Sequence, residues 1–371
     1  MSIRLSHSAQ SKYQLCPNLY RLHYEERWRS IILSSALVFG SAMDEALNIL
    51  LEKKDLNAAL EAFNMHWEQG KDHHGQLVDI PLNPNMKYFK SDFDAKLLEK
   101  KDWAELFKYD GKFFETKEKI DELLKAKTEW IDIPEEMRMP YNYANWLCMQ
   151  KKGEMMLKAY YTDILPEIAE VLAVQMPVEL TDEDGNVLNG IVDLVARLKD
   201  GRVAVLDNKT SGSEYEEDSV AISDQLAKYF AILNIFAEDE NHPWQHKIDL
   251  AGYCVMVKKI VTEETKTCTV CNHIGLGSHK TCDNVIDGKR CNGEWGKVKS
   301  HSVKTQFLTG NISEEFAEVV LENASTVKTC IEMGLFPKNF NSCQDQFGAP
   351  CAMIGLCHKK DSKGLIQKEK K

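Results

Sequence analysis

The chain has 371 residues, of which 43% are hydrophobic and 28% are charged, a composition typical of a globular protein with a large buried core. Its formal net charge of −11 argues against a protein that coats nucleic acid, because such proteins are usually basic. No apolar run approaches the roughly 18–20 residues of a membrane span, and no apolar signal segment opens the chain, so we expect a cytoplasmic, intracellular protein with no membrane partner.

Helical periodicity dominates the first half of the chain. Tyr13, Cys16, Tyr20 and Tyr24 recur at three- and four-residue spacing, which predicts a helix over residues 8–29. Similar patterns predict further helices over residues 34–53, 56–69, 84–130 and 141–162. The sequence therefore predicts a helical N-terminal part.

The pattern changes to β-branched and apolar runs after residue 168. Strands are predicted over residues 169–180, 188–198, 202–208, 248–259 and 299–309, and helices over residues 219–237 and 312–333. Cysteine-rich segments occupy residues 268–291 and 343–357. This order of elements predicts an α/β fold with a mixed central sheet.

Two carboxylates and an amine stand out in the strand region. The apolar run 203–206 suits a strand buried on both faces, and Asp207, Asn208 and Lys209 follow it directly. Side chains alternate along a strand, so Asp207 and Lys209 point to the same face. Asp193 lies inside the preceding apolar strand, where a carboxylate is costly unless it is paired or bound to a metal.

The turn between these strands determines whether the two carboxylates share a face. A three-residue loop, Lys199-Asp200-Gly201, with Gly201 in the left-handed conformation, would place Asp193 opposite Asp207. A two-residue turn would instead place Asp193 opposite Asn208, on the other face. We predict the three-residue loop.

Two carboxylates and a lysine on one face have a known chemical use. Carboxylate oxygens bind Mg²⁺ or Mn²⁺, and such a metal activates water and neutralises charge on a phosphate. An ammonium such as that of Lys209 can orient the water or stabilise the transition state. The alternative is a structural ion pair among Asp193, Asp207 and Lys209.

Three short motifs occur in order along this region: Gly190-x-x-Asp193, Asp207-Asn208-Lys209 and Gln225-x-x-x-Tyr229. Together they resemble the PD-(D/E)xK nuclease superfamily, and most closely its RecB-like exonuclease branch. The resemblance implies a restriction-endonuclease-like α/β core in which helices flank a mixed sheet.

The same resemblance implies a role for each motif residue. Asp193, Asp207 and the backbone carbonyl of Asn208 would bind Mg²⁺ or Mn²⁺, and Lys209 would assist the attacking water. Gln225 would orient that water and Tyr229 would contact DNA. The alternative for Gln225 and Tyr229 is a pair on a helix surface, since their spacing places them on one helix face.

Asp44 stands where this branch has a histidine metal ligand, in the segment Gly40-Ser41-Ala42-Met43-Asp44. An aspartate can bind Mg²⁺ or Mn²⁺ equally well, so we expect Asp44 either to be a ligand or to face solvent or cap a helix. Glu179 matches an acidic residue on the strand before Asp193, and we expect it to support the site.

Some members of the branch hold a 4Fe–4S cluster with one cysteine near the N-terminus and three near the C-terminus. The matching residues are Cys16, Cys343, Cys351 and Cys357. The alternatives are buried free thiols, or Cys330 as a substitute ligand.

The basic end of the chain, residues 359–371, is interpreted as a solvated, disordered tail.

A second cysteine group is independent of the resemblance. Cys268-x2-Cys271-x10-Cys282-x8-Cys291 suits a tetrahedral zinc site in a zinc-finger-like insertion. The gap of eight residues is wider than usual, and His273 or His279 could replace one cysteine. The alternative is a flexible loop that carries free thiols.

These observations predict a metal-dependent DNA nuclease, in particular an exonuclease of DNA recombination, repair or phage DNA metabolism in a bacterial or phage-infected cell. The chain has no Gly-x4-Gly-Lys-Ser/Thr motif, so a helicase or recombination partner would supply any unwinding. The alternatives are a non-catalytic DNA-binding or assembly module and a DNA endonuclease. We divide the chain into a helical N-terminal part (1–166), the core sheet and helix (167–262), the finger-like insertion (263–298) and a C-terminal part with the iron–sulfur segment (299–371).

Overall fold

A computed structural model describes most of the chain outside residues 79–148. The described residues are 3–30, 35–68, 70–71, 77–78, 122, 126, 149–181, 185, 187–275, 281–282, 284–286, 288–344 and 350–368. The predicted helix over residues 84–130, apart from residues 122 and 126, and residues 141–148 of the helix predicted over 141–162 lie outside them.

The described helices in chain order are α1 (His7–Leu15), α2 (Pro17–Tyr20), α3 (Ser35–Lys53), α4 (Leu56–Glu68), α5 (149–159), α6 (Asp224–Glu238), α7 (Glu314–Glu332) and α8 (Ile354–Lys359). The prediction of helices over residues 34–53, 56–69 and 312–333 is confirmed by α3, α4 and α7. Helix α6 begins later than the predicted residue 219, because the Ser223 hydroxyl accepts the Leu226 N–H and caps the helix there. None of the described helices is long and apolar enough to cross a lipid bilayer.

The described strands are β1 (Arg4–Ser6), β2 (Trp28–Ser30), β3 (Gly70–Lys71), β4 (Leu77–Val78), β5 (Ile168–Thr181), β6 (Val187–Leu198), β7 (Val203–Ser211), β8 (Leu250–Cys268), β9 (Ile274–Gly275), β10 (Val285–Ile286), β11 (Lys289–Arg290), β12 (Trp295–Gly310) and β13 (Leu365–Gln367). All five strands predicted from the sequence are present.

The prediction of one helix over residues 8–29 is wrong. Helix α1 ends at Leu15, Cys16 is extended (φ −160°, ψ 108°), and α2 starts at Pro17. Proline lacks an N–H and disfavours a helical conformation in the residue before it, so the helix breaks at this point. A π-type turn over Arg21–Glu25 then leads into β2.

The main sheet is mixed, as predicted. Its strand order is β1-β6-β7-β8-β12, with β5 on the other side of β6 and β9 beside β8. Strands β7 and β8 are parallel, as are β1 and β6, while the pairs β5–β6, β6–β7 and β8–β12 are antiparallel.

Helices cover both faces of this sheet. On one face, residues of β6, β7 and β8 form an apolar core with α3, α4 and α5. On the other face, the alternate residues of the same strands pack against α6 and α7. Strand β7 is buried on both sides, which explains its continuous apolar run.

The predicted β6–β7 hairpin is confirmed. Gly201 has φ +90°. The Leu198 N–H donates to the Arg202 carbonyl and the Leu198 carbonyl accepts from the Gly201 N–H, so residues 199–201 form the loop. The ladder runs from Arg197↔Val203 to Leu194↔Leu206. The same register, continued by one residue, places Asp193 opposite Asp207.

The chain ends also pair. Strand β13 lies antiparallel to β2, with Leu365 opposite Ser30. The interpretation of residues 359–371 as a wholly disordered tail is therefore wrong for residues 365–367, whose backbone groups are satisfied by an N-terminal strand.

Candidate active site

Asp207 lies at the end of the buried run of β7 and is only 2% exposed. Its Oδ1 accepts a hydrogen bond of 2.8 Å from Gln225 Nε2, and its Oδ2 lies 2.5 Å from Lys209 Nζ. Oδ2 is buried and has no other polar partner among the described residues. Burial raises the pKa of Asp207 to about 6. The nearby Lys209 lowers this pKa and the nearby Asp193 raises it, but burial has the largest effect.

Asp193 lies where β6 and β7 separate. The β6–β7 ladder ends at the pair Leu194–Leu206. Beyond it, the Asn208 N–H donates to the Asp193 carboxylate at 3.0 Å and not to the backbone of β6. Its second oxygen is 3.5 Å from Gln175 Nε2. Burial raises the pKa of Asp193, although the Asn208 N–H and Lys209 oppose the rise.

Gln175 is a residue that the sequence analysis missed. The β5–β6 register places it opposite Asp193, and it has φ +47°, a conformation that side chains other than glycine rarely adopt. No sequence pattern marks such a position, because it depends on the pairing of β5 with β6.

Lys209 and Gln225 complete the cluster. Gln225 lies in the first turn of α6, and its Oε1 accepts from Lys209 Nζ at 3.3 Å while its amide nitrogen holds Asp207. Burial lowers the pKa of Lys209, but Asp207 and Asp193 outweigh this effect and raise it. Lys209 is therefore protonated at neutral pH.

The start of α6 is anchored to the sheet. The Ser223 hydroxyl, which caps the helix, is 2.6 Å from the Tyr253 hydroxyl on β8, and Tyr253 is the strand neighbour of Asp207. This contact places Gln225 over Asp207. Neither Ser223 nor Tyr253 belongs to a motif that the sequence analysis used.

The side chain of Asn208 points to the opposite face from Asp207 and Lys209. Its Oδ1 accepts a hydrogen bond of 3.1 Å from the hydroxyl of buried Tyr160, another residue that the sequence analysis missed. This bond holds the end of β7 against the helical layer that contains α5. The Asn208 carbonyl is therefore the atom of this residue available to a metal ion.

Asp44 reaches the same region from α3. Its side chain is open to solvent on one side, but the loss of part of its water shell and the nearby Asp193 and Asp207 raise its pKa to about 7. Asp44, Asp193 and Asp207 are not as close together as a fully formed metal site requires, because no donor atoms from all three lie within 4.8 Å of one another.

Tyr229 and Glu179 are placed differently from what their expected roles require. Tyr229 is 5% exposed, and its ring packs on the backbone of Gly190. A contact between Tyr229 and DNA stays a prediction. Glu179 is exposed and pairs with Arg4, so it does not touch the carboxylates.

The donor set at this site fits a hard divalent cation. Its groups are carboxylate and carbonyl oxygens, which Mg²⁺ and Mn²⁺ prefer. Among the described residues, Lys209 is the only polar partner of the buried Asp207 Oδ2. A bound cation would further stabilise the negative charge on this oxygen. A metal ion at Asp193 and Asp207 would also offset the burial that raises the pKa of both carboxyl groups, and the repulsion by Asp193 that adds to the rise at Asp207.

A second site lies at the junction of the chain ends. Cys16, Cys343, Cys351 and Cys357 line one cavity, to which α2 and α8 both contribute. Burial raises the pKa of Cys351, with a smaller contribution from the other three cysteines. The break at Pro17 turns Cys16 towards this cavity.

Polar groups in the cavity wall point at the sulfur atoms. Asn18 Nδ2 is 3.2 Å from Cys357 Sγ, and the Asn339 N–H is 3.4 Å from Cys16 Sγ. Cys330 does not line the cavity and packs instead with Tyr13 among the helices α1, α2 and α7. Four thiols with N–H donors around them suit an iron–sulfur cluster.

The four cysteines of the insertion form a third group. Cys268, Cys271, Cys282 and Cys291 have all their Sγ atoms within 4.8 Å of one another. His273 is exposed and is not part of this group, and His279 lies outside the described residues. Cys254 is buried in the core, as expected, whereas Cys148 lies outside the described residues.

Comparison with known proteins identifies one family. The model described as the PD-(D/E)XK nuclease superfamily matches residues 4–357, which is nearly the whole chain and includes both carboxylates, Lys209 and Gln225. No curated protein matches the chain significantly.

Proposed function

Since the chain belongs to the PD-(D/E)XK nuclease superfamily and so to a group of metal-dependent nucleases, we propose that it hydrolyses phosphodiester bonds in DNA as an exonuclease of the RecB-like branch. The substrate, the exonuclease mode and a role in recombination, repair or phage DNA metabolism are parts of this proposal. A helicase or recombination partner would separate the strands of a duplex.

One observation carries the catalytic part of the proposal. Gln225 bridges Asp207 and Lys209, with contacts of 2.8 and 3.3 Å, at the place where Asp193 faces Asp207. A structural ion pair needs only Asp207 and Lys209. The convergence of an amide and a second carboxylate on the same pair instead matches the needs of phosphodiester hydrolysis.

In this proposal, Asp193, Asp207 and the Asn208 carbonyl hold Mg²⁺ or Mn²⁺, with Asp44 as a further oxygen ligand. When bound at these residues, such an ion would supply a lower pKa for a water molecule and neutralise charge on the scissile phosphate. Asp193 and Asp207 come from adjacent strands, so the sheet sets the distance between them.

Lys209 and Gln225 act on the nucleophile and the developing charge. Lys209 Nζ is protonated and donates hydrogen bonds to the attacking water or to a phosphate oxygen as negative charge builds up. Gln225 can accept from a water with Oε1 or donate to it with Nε2, so it orients the water for attack in line with the leaving oxygen. Tyr229 is proposed to contact the DNA backbone through its hydroxyl.

We further propose a 4Fe–4S cluster at Cys16, Cys343, Cys351 and Cys357. The four thiols come from the two ends of the chain, so a cluster would close a loop of more than 300 residues and hold α2 against α8. Its role in this proposal is structural, because its cysteines belong to different elements from those that carry the carboxylates.

The exonuclease mode is tested with two DNA substrates of the same sequence, one linear and end-labelled and one covalently closed. Protein purified without oxygen is given Mg²⁺, Mn²⁺ or EDTA. We expect the linear DNA to be degraded from its ends with either metal, the circle to stay intact, and EDTA to stop the reaction.

Asp207→Ala should be inactive in the same assay, and Asp200→Ala, an exposed aspartate in the turn of the same hairpin, should be fully active. Cleavage of the closed circle would show an endonuclease and contradict the exonuclease mode. Binding of DNA without cleavage under every condition would favour the non-catalytic module.

A further inference from the structure

We propose that Cys268, Cys271, Cys282 and Cys291 bind one Zn²⁺ ion, which holds together the insertion between β8 and β12. This inference does not depend on the nuclease activity. It rests on the geometry of the four thiols and on how the insertion is folded.

The sulfur atoms are close enough together to bind one tetrahedral ion. Cys268 Sγ is 3.6 Å from Cys291 Sγ, Cys271 Sγ is 3.6 Å from Cys282 Sγ, and all four lie within 4.8 Å of one another. A tetrahedral ion with Zn–S bonds of about 2.3 Å has sulfur–sulfur separations of about 3.8 Å. Disulfides would need about 2.05 Å, so neither pair is bonded.

The first half of the site is a tight turn after β8. Cys268 accepts the Asn272 N–H at 3.0 Å and donates its own N–H to the His273 carbonyl at 2.9 Å. Asn272, directly after Cys271, has φ +57°. This left-handed residue turns the chain back so that both thiols of the Cys-x2-Cys pair face the same point.

The second half of the site repeats this arrangement in spite of the wider gap. Cys282 accepts the Asn292 N–H at 3.1 Å, and Asn292, directly after Cys291, has φ +49°. The hairpin of β10 and β11 takes up the extra residues between the two cysteines. The eight-residue gap therefore does not separate Cys282 from Cys291.

Groups around the thiols are arranged as a thiolate shell requires. The Val270 N–H is 3.4 Å from Cys268 Sγ, and Asn284 Nδ2 is 3.6 Å from Cys271 Sγ. A side chain on Gly293 would come within 2.5 Å of Cys268 Sγ, so this position has room for glycine alone. Hydrogen-bond donors to sulfur and closely packed backbone commonly surround metal–thiolate sites.

The described residues of the insertion form no apolar core of their own. Cys268 and Cys282 are fully buried, whereas Val270, Val285 and Ile286 are 69%, 63% and 44% exposed. A segment that buries its thiols and exposes its apolar side chains cannot be held by an apolar core. Four thiolates around one ion supply the missing free energy, and zinc is the usual ion in such a set.

The site is far from the carboxylates along the sheet. Tyr253, the neighbour of Asp207, and Cys268 are separated by 15 residues of one continuous strand, or about 50 Å at about 3.3 Å per residue. Strand β12 pairs with β8 over this whole length, with one irregularity near Val303. Loss of the zinc should therefore unfold the tip of this arm and leave the sheet intact.

The experiment measures zinc and iron in the full chain purified without oxygen and dialysed against EDTA. We expect one zinc ion per chain in the native protein, and less than about a tenth of that in Cys271→Ser and in Cys282→Ser, since removal of one ligand greatly weakens a four-thiolate site. Cys330→Ser is the matched control, because Cys330 lies among helices away from this group, and it should keep its zinc.

A second measurement needs no variant. The native, folded protein is titrated with an organomercurial that blocks thiols, and a chromogenic chelator reports the zinc that is released. We expect release of one zinc ion in step with the modification of thiols. This measurement is unaffected by any folding defect of the serine variants.

Three results would overturn the proposal. Native protein without zinc would exclude a zinc site. Iron lost from Cys271→Ser in place of zinc would assign the four thiols to iron. Zinc that remains in both serine variants but is lost from Asp207→Ala would place the ion at the carboxylates.

Discussion

Gly190 lies directly under the ring of Tyr229. A Cβ atom on Gly190 would be 2.5 Å from Tyr229 Cε1 and 2.9 Å from the Tyr229 hydroxyl oxygen. Gly190 is on β6, three residues before Asp193, and Tyr229 is on α6, one helical turn after Gln225. The glycine of the first motif therefore packs against the tyrosine of the third. This contact sets the distance between the helix that carries Gln225 and the sheet that carries the carboxylates.

Gly190→Ala is expected to push α6 away from β6. The added methyl group overlaps a buried aromatic ring, so we expect a loss of about 1–3 kcal/mol in the free energy of unfolding. Since Gln225 moves with α6, kcat for DNA cleavage should fall by about tenfold or more. Urea denaturation and steady-state kinetics measure the two effects.

The cause is tested with a second substitution in the same contact. Tyr229→Leu removes the ring, and the double variant Gly190→Ala/Tyr229→Leu should be more stable than Gly190→Ala combined with Tyr229→Phe, which keeps the ring. Equal stability of the two double variants would mean that the ring is not what excludes a side chain at position 190.

Cys351→Ser is expected to remove the iron–sulfur cluster. We expect protein purified without oxygen to contain iron and to absorb visible light, and the variant to lose both. The melting temperature should fall by several degrees, because the cluster joins α2 to the C-terminal segment. Cys330→Ser should keep the iron. Iron-free native protein, or a Cys351→Ser variant that keeps its iron, would contradict the proposed cluster.

Lys228 predicts a change of stability with pH. Its side chain is fully buried and donates to Gln10, and burial lowers its pKa to about 8, against the attraction of Asp224. The unfolded state keeps the ordinary pKa of 10.5, so between about pH 8 and pH 10.5 it binds more protons than the folded state. The contribution of Lys228 to stability is therefore lowest below pH 8 and rises across this window, by on the order of 3 kcal/mol at about 1.4 kcal/mol per pKa unit.

Lys228→Met should abolish this rise, because methionine does not titrate. Denaturation at several pH values between 7 and 10.5 measures the slope, and the exposed Lys199→Met is the control that should keep it. A Lys228→Met variant with the same slope as the native protein would show that Lys228 is charged in the folded state.

The geometry of the carboxylates was predictable from local sequence. Gly201 permits a left-handed conformation at the end of a three-residue loop, and this loop sets the register that places Asp193 opposite Asp207. Side chains alternate along a strand, so Asp207 and Lys209 lie on one face of β7. Helices α3, α4 and α7 were predictable for a similar reason, since their periodicity extends over several turns.

Features that depend on contacts distant in sequence were not predictable. Gln175 lies opposite Asp193 because β5 pairs with β6, and Tyr253 holds the cap of α6 because β8 lies beside β7. The helix break at Cys16 has a different explanation. Pro17 marks it in the sequence, but the spacing of the aromatic residues continues across it and favours a single helix. The pairing of Cys282 with Cys291 required knowledge of the small hairpin between them.

The central claim is that Asp207 holds the metal that drives cleavage, and the most direct test is the single-turnover rate of cleavage of end-labelled linear DNA with saturating Mg²⁺. We predict that Asp207→Ala lowers this rate at least about a thousandfold, a loss of about 4 kcal/mol of transition-state stabilisation. We also predict that Asp200→Ala, on the same hairpin, changes it less than about twofold, and that both variants are folded. An Asp207→Ala protein that is folded and cleaves DNA at the native rate would contradict the assignment of this site.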